Sequence, residues 1–336
     1  MQYITTRSER NVFDEHNSLC ADTAPDGGFF IPADFPKFSR EDIIALQKNT
    51  TGEIIADILN KFFSVQLTGW DIDLLIGRNT ARLASVGGKM HVAEMWHNPS
   101  GTLGSTIESL YKCVAGDDAL ASSTQWFAIA ANIAILFALY SNLARCGVCS
   151  AGAKIDISVN AEDMTFPLVA CYAREMGLPI GTVLISSSES VIWDLVHRGE
   201  TNVSGTSQPV IAGLERLVQH KLGFAAVSDY LSSITNKRTY FVDEELVSHL
   251  GKGLFCVVAG KNRYQQIIAS FALSNHYILE PSSAYCVNAL QDYRAKTGVN
   301  NHTLILSTVT PLKYIGEITA ATRLAEQSIL QLVKHS

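Results

Sequence analysis

Asn160, Glu162 and Asp163 sit in a polar turn, Asn160 to Phe166. Before it runs Ile155-Asp156-Ile157-Ser158-Val159, which alternates like a short strand. After it, Pro167 opens a helix to Met176, and Gly177 stops that helix before Leu178-Pro179-Ile180 starts the next strand. In α/β proteins such a turn faces a ligand, because a helix N-terminus offers free N–H groups and a positive dipole end. A phosphate cradle there wants glycines that let the backbone close on the anion. This turn has none, and it carries two carboxylates. The place suits a phosphate and the residues do not.

The other chemistry-bearing groups are sparse. Cys146-Gly147-Val148-Cys149 is a lone Cys-x-x-Cys without the second pair a zinc site needs, and it does not open a helix after a strand as a redox motif would. Asp117-Asp118 and Glu162-Asp163 read as solvated turns, since adjacent acids rarely hold a metal alone. No metal is expected. His97 follows an apolar strand end and is a cleft candidate. No Ser-His-Asp spacing, Gly-x-Gly-x-x-Gly or Walker pattern is present.

The elements that position these residues belong to a chain of 336 residues, 47% hydrophobic and 17% charged, with a net charge of −6. That composition predicts a large packed core and argues against nucleic-acid binding through phosphate neutralisation. Seven scattered cysteines and an N-terminus without an apolar signal core predict a cytoplasmic protein. The apolar run Trp126 to Leu143, interrupted by Asn132 and lacking basic flanks, reads as a buried helix rather than a membrane span. Thr5 to Pro36 reads as irregular, centred on the turn Pro25-Asp26-Gly27-Gly28. From Gly181 onward strands and helices alternate, and Gly316 to Lys334 reads as one closing helix.

Several segments in order resemble the threonine synthase family, a fold-type-II group that uses pyridoxal phosphate (PLP). Tyr3-Ile4-Thr5-Thr6-Arg7 and Ala24-Pro25-Asp26-Gly27-Gly28-Phe29-Phe30-Ile31-Pro32 look like its N-terminal signature. Glu94 to Pro99, Ser122 to Trp126, Glu280 to Ala284 and Ser307 to Tyr314 are similar to later family motifs. Ile155 to Ile180 corresponds to the family's phosphate loop and the helix ending Met176-Gly177-Leu178-Pro179-Ile180. The resemblance implies an α/β fold of the fold-type-II (tryptophan synthase β-like) kind, a parallel-rich sheet flanked by helices. It implies a division into an N-terminal region 1–100, a shortened small-domain remnant 101–125 and a large domain 126–336.

The departures carry the functional expectation. The family's Schiff-base lysine falls on Gly104, or on Thr106 if Thr102-Leu103 is matched instead. The substrate-phosphate arginine falls on Ala128, and two late histidines on Ser282 and Thr310. The phosphate-loop glycines are missing, and few residues remain where the substrate-carboxylate loop should lie. No catalytic residue therefore transfers from the family. His97, Glu162 and Asp163 stay as cleft candidates, and Asn160, Ser307 and Thr308 as pocket candidates. The resemblance thus implies a threonine-synthase-like pseudoenzyme without a cofactor, binding a small amino-acid-like ligand or a partner chain such as an intact homologue. The alternatives are a repurposed, PLP-independent enzyme of specialised amino-acid metabolism, or residual PLP-dependent lyase activity with a partner chain. Neither a nucleic acid nor a membrane is an expected partner.

Overall fold

Alternation along the strands decides which side of the sheet each residue serves. In Thr303–Ser307, Leu304 and Leu306 enter one core while Ile305 enters the other. In Ile180–Ser187, Val183 and Ile185 face the first core and Leu184 the second. Such strands are apolar on both faces, as a sheet covered by helices on both sides requires. The computed structural model describes residues 1–77, 82–116, 122, 124–324 and 326–335. Asn79, Asp117, Asp118 and Ser123 lie outside the described residues.

The central sheet has six strands in the order Leu254–Val258, Ile180–Ser187, Ile155–Asn160, Thr303–Ser307, Met90–Glu94, Arg82–Ser85. Every neighbouring pair is parallel except the last, which is antiparallel. The first core lies between the sheet and helices that include Thr51–Phe62, Trp126–Arg145 and Thr165–Glu175. The second lies under Lys261–Asn275 and Pro281–Thr297. The fold is therefore the expected α/β class, with a parallel-rich sheet flanked by helices.

Trp126–Arg145 is long and apolar enough to cross a membrane, but 94% of its most apolar window is buried inside the protein. Each large apolar side chain fully buried there contributes roughly 1.5–3 kcal/mol relative to exposure. Helix Thr165–Glu175 ends where Gly177 adopts φ +109°, and a Cβ there would lie 2.2 Å from the Phe38 carbonyl oxygen. The Phe38 N–H donates to Met176 O at 2.7 Å, so the chain after Pro36 is pinned against this helix end.

Two expectations need correction. The N-terminal stretch is not irregular: Tyr3–Thr5 pairs antiparallel with both Ser8–Phe13 and Phe30–Pro32. Its strands are short and one is largely polar, so their pairing is set by distant partners rather than local pattern. The closing segment is two helices, Ile315–Thr322 and Glu326–His335, because Arg323 takes a left-handed φ of +58°.

Candidate functional site

A cleft of about 370 Å³ opens beside the carboxyl ends of strands Ile155–Asn160 and Thr303–Ser307. In open α/β sheets that edge is where ligands bind. One wall is the start of helix Leu103–Ala115, contributing Leu103, Gly104, Ile107 and Glu108. The buried helix contributes Ala128 and Asn132. The floor is the turn after Ile155–Asn160, with Asp163, Thr165 and Phe166, and the rim carries Thr308 and Val309.

Backbone pairing holds these walls together. Thr102 bridges Val309, the Leu103 N–H donates to Thr308 O at 2.8 Å, and the Thr310 N–H donates to Gly101 O at 2.9 Å. Asn98 shapes the preceding loop: its Nδ2 donates to Thr102 O at 2.7 Å and to Thr106 Oγ1 at 3.0 Å. Thr106 is buried by this contact and lines a separate groove, whereas Gly104 is exposed on the cleft. A Cβ at Gly104 would meet no atom within 4 Å. Of the two positions the resemblance assigns to a lysine, only 104 borders this cleft.

The Asn160–Phe166 turn is strained and self-satisfied. Met164 takes φ +63°, costly for a residue with a Cβ, and its buried side chain packs where Gly213 leaves room. Asp163 Oδ1 accepts the Thr165 N–H at 3.0 Å, which puts a carboxylate on the first turn of helix Thr165–Glu175. Negative charge is stabilised at that point. Asn160 Oδ1 likewise accepts the Glu162 N–H at 3.0 Å, leaving its buried Nδ2 without a partner. Glu162 faces a small neighbouring cavity with Ser187 and Glu189, not the main cleft.

Ser307 is not on the cleft surface. Its Oγ accepts from Trp96 Nε1 at 3.1 Å and donates to Glu280 Oε1 at 3.4 Å. Glu280 is 1% exposed and caps helix Pro281–Thr297, accepting the Ser283 N–H at 2.9 Å. Burial pushes its carboxyl up to about 7, with Glu162 adding repulsion, although the Ser282 and Ser283 donors pull the other way. His97 faces a different groove, shared with Pro99, Ser100 and Thr310. Its Nε2 pairs with the fully buried Glu94 at 2.7 Å and its ring stacks on Trp96. Tyr277 Oη donates to the same carboxylate at 2.7 Å, and burial together with that carboxylate holds the phenol well above its usual range.

Of the six sequence candidates, Asp163 and Thr308 therefore line one cleft. Asn160 and Ser307 are buried, Glu162 opens on the adjoining cavity, and His97 points elsewhere. The repurposed-enzyme alternative requires all six to converge, and this scatter counts against it. Sequence reasoning singled out neither Asn132 nor Glu280. Asn132 is 7% exposed, its Nδ2 donates to Ala128 O at 2.8 Å, and its Oδ1 has no partner. Its signal was an amide within an apolar helix; that of Glu280 was an acid directly before a helix-opening proline. Glu215-Arg216 is structural: Arg7 makes two 3.1 Å bonds to Glu215, and Arg216 Nη2 donates to Thr124 O at 2.6 Å. Among the described residues no group of three potential metal ligands occurs, and all seven cysteines, Cys146 and Cys149 included, are free.

Comparison with known proteins identifies this architecture. Residues 2–79 match the family described as "Threonine synthase N terminus". Comparison with curated protein sequences gives no significant match. Among solved structures, PLP-bound threonine synthase from Brucella melitensis is similar with a TM-score of 0.82 at 16% identity, covering 99% of this chain and 94% of that one. Threonine synthase from yeast has a TM-score of 0.79 at 16% identity, covering 96% and 90%. The Escherichia coli enzyme has 0.71 at 14%, covering 99% and 94%. These likenesses establish the fold.

One expectation is overturned by them. The absence of a cofactor, argued from the missing lysine and phosphate-loop glycines, does not stand, because a protein of this same fold holds PLP. The reasoning failed because a lysine absent by resemblance removes one bond to a cofactor and does not by itself exclude binding.

Proposed function

We infer that this chain, whose residues 2–79 are a threonine synthase N-terminal region and whose fold is that of threonine synthases, is a ligand-binding pseudoenzyme. It uses the family cleft without running the threonine synthase reaction. The observation that carries this reading is the amine-free cleft: among the described residues no lysine lines it. Gly104 stands on its wall where the resemblance assigns the lysine, and Lys112, further along the same helix, is held by Glu108 at 2.9 Å. Bound through an imine, PLP supplies an electron sink and the lysine supplies the proton shuttle. The residues present do not fit that covalent attachment. PLP itself remains an admissible noncovalent occupant.

What the chain's own residues provide is a binding site. Leu103, Ile107, Phe166 and Val309 give apolar walls, and Thr308, Ser122 and Asn132 give polar groups to orient a small molecule. A mostly apolar cavity of this size with a few convergent polar groups is the usual form of a small-ligand site. A cytoplasmic setting belongs to this reading, supported by seven free cysteines. The test is turnover: purified protein with PLP and phosphohomoserine, followed by phosphate release and threonine formation. Neither should exceed the protein-free control. Stoichiometric conversion over repeated turnovers would overturn the reading.

A further inference from the structure

The charges around the cleft restrict what enters it. Glu108 and Asp163 are its ionisable lining residues, both acids, and no lysine, arginine or histidine joins them among the described residues. Glu108 is compensated by Lys112 at 2.9 Å. Asp163 has no cationic side chain beside it among the described residues; its Oδ1 takes the Thr165 N–H. The helix N-terminus that could have attracted an anionic ligand is thus already served by a carboxylate of the chain.

The second observation is independent of charge. Asn132 lines the same cleft, is 7% exposed, and has a buried Oδ1 that no protein group among the described residues satisfies. Its Nδ2 is committed to Ala128 O, so the free atom is an acceptor and asks for a donor. Leaving a buried acceptor unpaired is costly, and a ligand N–H would relieve that cost. Two acceptors in one lining, one of them a carboxylate with no cationic partner among the described residues, beside apolar side chains describe one chemistry.

We propose that the cleft binds a small organic ammonium ion, a primary amine on an apolar body, held by Asp163 and by the free Oδ1 of Asn132. This deepens the ligand-binding reading above and rests on it.

Three probes of matched shape test the proposal by titration calorimetry: phenethylammonium, its N-acetyl amide and 3-phenylpropionate. The cation should bind at least about tenfold more tightly than the carboxylate, with the neutral amide between them. Asp163→Asn keeps an oxygen for the Thr165 N–H and should reduce the preference for the cation over the amide about fivefold, a modest factor because the site is open to solvent. Asn132→Leu should weaken the cation and the amide alike, by about five- to tenfold. Circular dichroism melting confirms that both variants fold, and the Asp163→Asn result decides the matter if Asn132→Leu does not. Equal or tighter binding of the carboxylate, binding of inorganic phosphate in competition with the cation, or no binding of any probe would each overturn the proposal. The ligand-binding reading fails separately, if phosphohomoserine is turned over.

Discussion

Glu280→Gln isolates the energetic consequence of burying an acid beneath the cleft. The carboxyl is 1% exposed, and burial lifts it from its ordinary 4.5 to about 7. Because the folded value lies above the unfolded one, the protonated form is favoured by folding. Stability from this group is full below pH 4.5 and declines as pH rises toward 7. The difference corresponds to at most ~3.5 kcal/mol, at about 1.4 kcal/mol per pH unit. Glutamine carries no charge and keeps one oxygen for the Ser283 N–H, while its NH2 gives up the Ser282 N–H that Oε2 accepts, a loss that does not vary with pH. The variant's stability relative to wild type should rise by roughly 2–3 kcal/mol from pH 4.5 to pH 8. Urea unfolding from pH 4.5 to 8, with the midpoint converted to free energy at constant slope, gives the comparison directly. A relative stability that falls from pH 4.5 to pH 8 would refute the reasoning, because the cap would then need the charge. So would a difference between the two proteins that does not change with pH.

Two further substitutions probe the frame. Gly177→Ala places a Cβ 2.2 Å from Phe38 O at a φ of +109°, so the chain must shift and stability should fall by about 2–4 kcal/mol, read by thermal or urea unfolding. Gly104→Lys meets no atom within 4 Å and should leave the melting temperature unchanged within a few degrees, while adding an amine to the cleft wall.

The frame of the site was legible in the sequence and its interior was not. Strand Thr303–Ser307 and helix Val191–Arg198 belong to the alternation read from Gly181 onward, because apolar runs with clear turn residues punctuate them. Helix Thr165–Glu175 starts before the proline taken as its first turn, since Met164 reaches a left-handed conformation without glycine. Helix Phe224–Lys237 went unread, although Val227, Tyr230 and Ile234 form its buried face at helical spacing. Which candidates share a cleft depends on the direction of each strand end. Thr308 lies on the cleft while its neighbour Ser307 turns under the sheet toward Glu280. His97 follows Glu94 around the other side of the Asn98–Thr102 loop. No local pattern encodes those directions, because packing of distant elements sets them.

The central claim, a ligand cleft without an imine-forming amine, is tested most directly by trapping. Wild type and Gly104→Lys are incubated with PLP, reduced with borohydride and mapped by peptide mass spectrometry. The account predicts pyridoxyl labelling at position 104 in the variant above the level of the same peptide in wild type, and no stoichiometric labelling of any wild-type lysine. Stoichiometric labelling of wild-type Lys112, with the imine absorbance that accompanies it, would contradict the account.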